Sequence, residues 1–424
     1  MRDFLPADVR RRRYVIGVVE TVYEQYGFEP LETPALENIE TLTGKYGEEG
    51  GKLIFKVLRR GEHEASGEAD LALRYDLTVP LARVVAEHRG KLPKFFKRYQ
   101  IQPVWRADRP ARGRFREFFQ CDVDAIGSRS PVVEVEIVSA VSEILSILGF
   151  NDYTIQLNHR ELLTHTLESA GIDRALHDTT LVAIDKLDKI GREAVFDEML
   201  ARGIRPESAK AVLENLAGDI PSFPDPSGGP AAENVAGIIN LCEATHAAGR
   251  VKFTPRLARG LSYYTGAIME VAVPDLAASL GGGGRYDGLI GMFSGENVPA
   301  CGFSLGLERI LVVMAERNMF PPDVDTAAAD MLVTLFDSES VSHSLQLAAD
   351  LRHAGYRVDV YPEPDKLGKQ FKYAAGVGIP RVAVLGSDER TRGVVTIKDM
   401  KSGEQTQVPR EALPPGAGSE KTNK

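Results

Sequence analysis

Residues 98–126 read RYQIQPVWRADRPARGRFREFFQCDVDAI. Strand-like pieces stand at both ends, and the middle, Asp108 to Arg114, is rich in arginine and glycine. The pattern predicts two strands, over 98–107 and 115–126, joined by that loop. On the returning strand Gln120, Asp122 and Asp124 recur at period two, which puts all three on one face. Two readings of that face are open: a solvent-facing row, the usual meaning of alternation, or a polar wall flanked by aromatics. The stretch also lies in a basic run. Ten basic residues occur from Arg89 to Arg116, with Asp108 the only acid among them. Phe95, Phe96, Tyr99, Trp105 and Phe115 are interleaved, so the run is neither a tail nor disordered. It is either a solvated basic surface or an ordered segment suited to phosphate contacts, from a nucleotide or a polynucleotide.

Composition sets the outer bounds. At 424 residues the chain predicts two or three folding units, and 43% hydrophobic with 26% charged residues suits a globular protein with real cores. No apolar run approaches the ~20 residues a membrane span requires. The first residues, MRDFLPADVRRRRYVIGV, mix charge and apolar side chains and lack the apolar stretch of a secretory signal. Cys121, Cys242 and Cys301 are three and far apart, which fits neither a zinc motif nor a disulfide framework and points to a reducing cytoplasm. A net charge of −9 does not advertise nucleic-acid binding, but a local field counts for more at a groove.

Outward from the opening stretch, Pro6–Tyr26 has helical apolar spacing and Gly27 follows as a C-cap. Phe28–Pro34 reads as extended, because two prolines exclude a helix. Short strand pieces (KLIFKVL, ADLALRY) precede a helix over 79–88. A helix follows at 132–148 and a strand at 153–157. Residues from about 160 to 250 are helix-rich and suggest a helical module inserted in an α+β domain. Strands return at 267–273 and 281–284, then a helix at 303–317. After Pro321-Pro322, the pieces MLVTLF, RVDVY, RVAVLG and GVVTIKD alternate with helices, a compact α/β domain. The expected division is therefore 1–325, 326–412 and a disordered tail, 413–424.

Three further segments carry candidate chemistry. Arg259-Gly260-Leu261-Ser262-Tyr263-Tyr264-Thr265-Gly266 frames an arginine and two tyrosines between glycines, and by itself reads as a turn into a strand. Gly281–Gly284 followed by Arg285-Tyr286-Asp287-Gly288 allows close backbone approach to a ligand, or forms a plain flexible loop. It is neither a P-loop nor a dinucleotide fingerprint, for it lacks their spacing and context. Gly302–Ile310 passes from strand to helix and puts Arg309 in the first turns, where it clamps an anion or sits on the surface of a capped helix.

In order and content together these segments resemble the histidyl-tRNA synthetases, class II aminoacyl-tRNA synthetases, over essentially the whole chain. Gly27-Phe28 with Pro34 resembles class II motif 1, Arg106–Asp124 motif 2 and Gly302–Arg309 motif 3. RGLSYYTG and GGGGRYDGL resemble the two histidine signatures of that family, and Leu73–Thr78 its histidine-contacting strand and turn. The resemblance implies an α+β fold: an antiparallel-sheet catalytic domain with a helical insertion, and a C-terminal α/β anticodon-binding domain. It implies ATP and L-histidine as substrates, Mg²⁺, tRNA(His) as partner, a homodimer through motif 1, and no membrane. By the same resemblance Arg106, Arg259 and Arg309 carry the chemistry. Arg106 would hold the α-phosphate and the histidine carboxylate, with Arg259 opposite it. Arg309 would lie near adenine and the γ-phosphate, and Asp108 would contact adenine. Asp76, Leu77, Thr78, Gln120 and Asp124 would fix the amino acid, and Tyr263 and Tyr264 would read the imidazole. No protein metal ligands are implied.

One position departs from the pattern: the family usually has an acid where this chain has Ser262. With the other contacts present, activity is still expected. The principal alternative is the synthetase-like regulatory subunit of ATP phosphoribosyltransferase, which typically lacks the C-terminal domain and the arginine at 259. Ligases for threonine, proline or glycine share the terminal domain but not the two histidine signatures. A stand-alone sensor of uncharged tRNA would carry an output domain.

Overall fold

The two strands expected from the opening stretch form, at Phe96–Trp105 and Glu117–Ile126, in the middle of one large sheet. The computed structural model describes residues 1–46, 51–59, 68–216, 229–258 and 263–413, with residues 188 and 189 by backbone alone. Two compact units divide the chain, Met1–Phe320 and Pro321–Lys424.

The strands of the first unit are β1 (Glu29–Pro30), β2 (Leu36–Asn38), β3 (Lys56–Leu58), β4 (Ala69–Leu73), β5 (Phe96–Trp105) and β6 (Glu117–Ile126). They continue with β7 (Thr154–His159), β8 (Val251–Phe253), β9 (Ala267–Val273), β10 (Leu276–Arg285) and β11 (Ala300–Gly306). Eight of them make one sheet in the order β1-β5-β6-β11-β10-β9-β7-β8. The interior pairs are antiparallel, and a short parallel partner closes each edge, β1 on β5 and β8 on β7. Such a sheet keeps one face for helices and leaves the other for a ligand. The helices Pro6–Gln25, Val132–Ile147, Gly229–Cys242 and Leu307–Glu316 cover the first face through one core that includes Val19, Ile144, Ile238 and Ile310.

The helix-rich stretch expected at about 160–250 divides in two. Arg160–Ser169, His177–Ile184, Leu187–Ala201 and Pro206–Asn215 bury Leu167, Leu181, Met199 and Val212 in a second core. Gly229–Cys242 instead packs on Val132–Ile147 and on β7 and β8, so it belongs to the layer behind the sheet. The loop PSFPDPSGGP lies mostly outside the described residues. A second difference concerns 303–306, expected as helix: these residues belong to β11, because each pairs with β6 and Phe303 to Leu305 also with β10. The helix begins only at Leu307.

In the second unit β12 (Met331–Val333), β13 (Val358–Val360), β14 (Arg381–Val384), β15 (Val394–Asp399) and β16 (Gln405–Pro409) form a sheet in the order β13-β12-β14-β15-β16. The first three are parallel and the last two antiparallel, with helices Val341–His353 and Leu367–Gly376 as the connections. The sequence reading lacked β16. Four of its five residues are exposed and Val408 is half-buried, so no apolar period marks it. Residues 414–424, expected as a tail, lie outside the described residues.

Glycines decide how closely β10, β11 and β6 approach. A Cβ on Gly283 would stand 2.0 Å from the carbonyl oxygen of Gly302, and one on Gly302 would stand 1.9 Å from Asp124 Oδ1. Gly237, inside Gly229–Cys242, has nothing within 4 Å of the same position. Gly283→Ala should therefore lower stability by about 1–3 kcal/mol or more through overpacking. Gly237→Ala should raise it by about 0.5–1 kcal/mol through helix propensity. Thermal unfolding of both variants checks the pair, and shifts of the same sign would contradict the packing described.

Candidate active site

A cleft of about 1070 Å³, its mouth included, opens on the exposed face of β6, β10 and β11. Its floor and rim differ in charge. The alternating face of β6 supplies the floor, where Gln120, Asp122 and Asp124 are all buried. Period-two alternation thus makes a buried cleft floor here, and the solvent-row reading is set aside.

Beneath that row Arg98 of β5 is 0% exposed. Its register partner across the ladder is Asp124, whose Oδ2 lies 2.8 Å from the guanidinium, and Asp122 Oδ2 lies at 4.0 Å. Tyr286 donates its hydroxyl to Asp124 Oδ1. Asp76 completes the floor and is satisfied by three donors: Val79 N at 3.0 Å, the Tyr46 hydroxyl at 2.9 Å and the Tyr263 hydroxyl at 3.4 Å. Burial pushes the Asp76 and Asp124 carboxyls up from their ordinary values. Burial likewise raises Asp122 to about 7, opposed by Arg98 and reinforced by the charge of Asp124. Tyr46, Tyr263 and Tyr286 are held well above the usual phenol range by burial, so they are neutral donors.

Arg74 fixes the segment that carries Asp76. Its guanidinium donates to Pro103 O at 2.9 Å and Gln102 Oε1 at 2.8 Å on β5, and burial lowers it to about 10. Thr78 lines the cleft; Leu77 does not, for its side chain is fully buried behind the floor and its carbonyl accepts from Arg98 at 3.4 Å. Among the described residues, Leu77 is the expected contact that the structure keeps out of the cleft.

The rim is basic. Arg106 donates through Nε to Tyr75 O at 3.0 Å, and its guanidinium lies 4.3 Å from the Tyr75 ring centre and 5.2 Å from that of Phe118. Arg309 donates to Ser279 O at 2.6 Å. Gly113, at φ 68, turns the 108–114 loop onto Arg309, where a Cβ would meet its side chain at 3.1 Å. Asp108 lines the cleft but accepts from Arg114 at 2.8 Å, so a ligand at Asp108 shares it with that arginine. Glu308 joins three elements: Oε1 takes Arg12 Nη1 at 2.6 Å and Oε2 takes Phe119 N at 2.9 Å. Tyr263 and Tyr264 close one side, ring centres 5.0 Å apart, with Tyr286 6.1 Å from Tyr263.

Arg259 and Ser262 lie outside the described residues. Arg98, Asp122, Tyr286 and Tyr46 enter the site without having been singled out for it. Asp122 shared the alternating face, and Tyr286 follows the glycine run. Arg98 was one of ten basic residues, and nothing marks it until β5 and β6 pair. Arg285, from the same glycine segment, is a strut instead, gripping Glu134 at 2.6 and 2.8 Å. Among the described residues no three His, Cys, Asp or Glu side chains gather as a metal-binding group. The arrangement fits a ligand that is cationic and polar at one end and polyanionic at the other.

A family model described as histidyl-tRNA synthetase matches residues 1–310, and one described as anticodon binding domain matches 330–416. The histidine–tRNA ligase of Porphyromonas gingivalis is 42% identical, over 97% of this chain and 96% of its own. That of Gloeobacter violaceus is 40% identical over 96% and 95%. The crystal structure of histidyl-tRNA synthetase from Nostoc sp. superposes with a TM-score of 0.78 at 30% identity, covering 97% of this chain and 96% of that one. An ATP phosphoribosyltransferase regulatory subunit/histidyl-tRNA synthetase from Bacillus halodurans shares the fold, with a TM-score of 0.72 at 21% identity over 91% of this chain and 96% of its own.

The floor makes stability depend on pH. A carboxyl raised from 3.8 to about 7 holds a proton in the folded chain that the unfolded chain has lost, so Asp122 costs stability as pH rises through that window. Arg98→Met removes the cation and should destabilise by about 3–5 kcal/mol with both carboxylates ionised. The deficit against wild type should be larger at pH 8 than at pH 5, as read by thermal unfolding. A deficit independent of pH would falsify the assignment of Arg98 as their counter-ion.

Proposed function

The chain belongs to the histidyl-tRNA synthetase family, and from that premise we propose how its cleft activates L-histidine with ATP and delivers it to tRNA(His). The observation that carries the reading is the split polarity of the cleft, an acidic floor under an arginine rim. In the first step a histidine carboxylate oxygen attacks the α-phosphorus, a new P–O bond forms, and pyrophosphate leaves. In the second, a hydroxyl at the 3′ end of tRNA attacks the acyl carbon and AMP leaves. No side-chain nucleophile is needed, only alignment and charge stabilisation.

The floor takes the amino acid. Gln120, Asp76, Thr78 and Asp124 hold the ammonium and backbone, and Tyr263 and Tyr264 read the ring. Because Tyr263 is bonded to Asp76, its position is tied to the floor. Arg106, oriented by the Tyr75 carbonyl and two aromatic faces, stands where the carboxylate and α-phosphate meet. Arg309 faces the adenine and the outer phosphates and Asp108 the adenine amino group; for Arg259, outside the described residues, the family role is contact with the α-phosphate. The residues present fit an Mg²⁺ carried on phosphate oxygens and not on protein ligands, for both oxygens of Glu308, the carboxylate beside Arg309, are taken by Arg12 and Phe119 N. That ion would supply neutralisation of the charge developing on the phosphates.

The matched C-terminal unit takes the anticodon arm, and the helical group before Gly229–Cys242 takes the acceptor stem. Pairing of two chains through the Gly27–Pro34 region is part of the same reading, supported by β1 lying at one sheet edge with both residues exposed. No described helix is long and apolar enough to cross a membrane, and the three cysteines are free and buried, as suits a cytoplasmic enzyme. The regulatory-subunit alternative is disfavoured by the full-length ligase relatives and the retained second unit.

Pyrophosphate exchange measured across the twenty amino acids should respond to histidine, and charging of total tRNA should then follow. Comparable exchange with another amino acid would sink the reading. Arg309→Ala should slow histidine-dependent exchange by about 10²–10³-fold, as loss of a charge-stabilising donor does. Replacing residues 172–228 by a short linker, which keeps Gly229–Cys242, should lower charging while sparing exchange. Equal loss of both activities counts against the acceptor-stem role.

A further inference from the structure

Of the three polar side chains that β6 turns to the cleft, the family assignment gives work to Gln120 and Asp124 and none to Asp122. Yet Asp122 is 2% exposed, and its Oδ1 has no hydrogen-bond partner among the described residues. We infer that Asp122 is a further substrate-binding residue of the amino-acid subsite, its ionised carboxylate accepting from the α-ammonium of the substrate. The inference rests on the ligase reading of the cleft.

Donors are unevenly shared along the floor. Asp76 has three, and Asp124 has the Tyr286 hydroxyl on Oδ1, while its Oδ2 takes the Arg98 cation at 2.8 Å as an ion pair without a hydrogen bond. Asp122 has the Ser304 hydroxyl as a donor, and Arg98 only at 4.0 Å, beyond hydrogen-bond reach, which leaves Oδ1 open. Beside it, Gln120 spends its amide nitrogen on Ser304 Oγ at 2.8 Å, which leaves Gln120 Oε1 buried and likewise without a partner among the described residues. Two adjacent acceptors without donors suit a ligand group that only donates. A primary ammonium has three N–H bonds and no acceptor.

Position along the strand selects the ammonium over the ring. The rim end of β6 holds Phe118, under Arg106, where the reacting carboxylate goes. Four residues on from Gln120, Asp124 holds Tyr286 in the tyrosine box where the ring goes. Asp122 lies between them, about 6.5–7 Å from each neighbour on its face. In an α-amino acid the ammonium sits on the carbon between carboxylate and side chain.

The charges around Asp122 explain what binding does to it. Arg98 and Gln100 face it from β5, Ser304 is its register partner on β11, and Asp124 flanks it on β6. Asp76, Tyr263 and Arg74 act from farther off. One near cation therefore serves two carboxylates, and burial keeps the Asp122 carboxyl protonated up to about 7. An arriving ammonium is the second cation. The Asp122 proton leaves to solvent as the ion pair forms, so histidine binding releases a proton, and affinity rises from pH 6 to pH 8.

Asp122→Asn should raise the KM for histidine in pyrophosphate exchange by on the order of 10- to 100-fold, with KM for ATP and kcat changed far less. Calorimetry at pH 6.5 in buffers of different ionisation enthalpy should show proton release on histidine binding to wild type and its loss in the variant. Imidazolepropionate, which keeps ring and carboxylate but lacks the ammonium, should release no such proton and bind both proteins alike. The wild-type comparison of the two ligands stands even if the variant fails to fold. An unmoved histidine KM in a folded variant, or equal proton release by both ligands, overturns the inference alone. Wild type without histidine-dependent exchange overturns the ligase reading and this inference with it.

Discussion

A guanidinium with no solvent contact, Arg98, stands between the carboxylates of Asp122 and Asp124, and the rest of the molecule is arranged to make that possible. Removing such ions from water costs several kcal/mol each, which is offset only when geometry is held closely. Three strands hold it. Arg98 faces Asp124 across β5 and β6, while Ser304 and Gly302 of β11 face Asp122 and Asp124 from the other side. The carboxylate of Asp124 occupies the space where residue 302 would carry a Cβ, so glycine there is a condition of the ion pair. A slip of one residue would turn all three floor side chains into the helical core. The register of the sheet and the chemistry of the floor are therefore one constraint.

The rim solves a different problem. A cation meant for phosphates has to be oriented without being neutralised. Arg106 is fixed by a carbonyl and two aromatic faces, which position a guanidinium and leave its charge for a ligand. Arg285 shows the contrast: gripped on two sides by Glu134, it is spent on holding the glycine strand in place. Glu308 joins floor and rim. It ties the N-terminal helix through Arg12 and β6 through Phe119 to the helix whose next residue is Arg309.

Much of this is legible in the residues themselves, for identifiable reasons. The pair β5–β6 is long, alternating and joined by a glycine-bearing loop, so its existence and the shared face of Gln120, Asp122 and Asp124 follow from local pattern. The terminal α/β unit follows from strand and helix periods that switch cleanly. What pattern does not carry is pairing. Arg98 reads as one more basic residue until the β5–β6 register sets it against Asp124. Tyr46 reaches Asp76 from 30 residues away with no signal at all. Leu77 sits between two lining residues and faces the other way. Gly229–Cys242 looks like its helical neighbours, and only the apolar row Val235, Ile238, Ile239 and Cys242 against the sheet separates it from them.

The distribution of acceptors bears on selectivity as well as on binding. A side chain without ring nitrogens would leave polar groups of the tyrosine box without a ligand partner, and an unpaired polar group in such a site can give discrimination of roughly 10⁴–10⁵ without a second proofreading site. A longer cation would satisfy the charge but not the tyrosine box, whose three rings and the bond from Tyr263 to Asp76 fix its depth. Histidine meets both conditions, with a flat ring that donates and accepts at the far end and a charged amine near the middle of the strand. The same buried carboxylates that strain the free fold are thus what the ammonium of the substrate relieves, so stability given up in the floor reappears as affinity when an amino acid binds, and discrimination is left to the ring end.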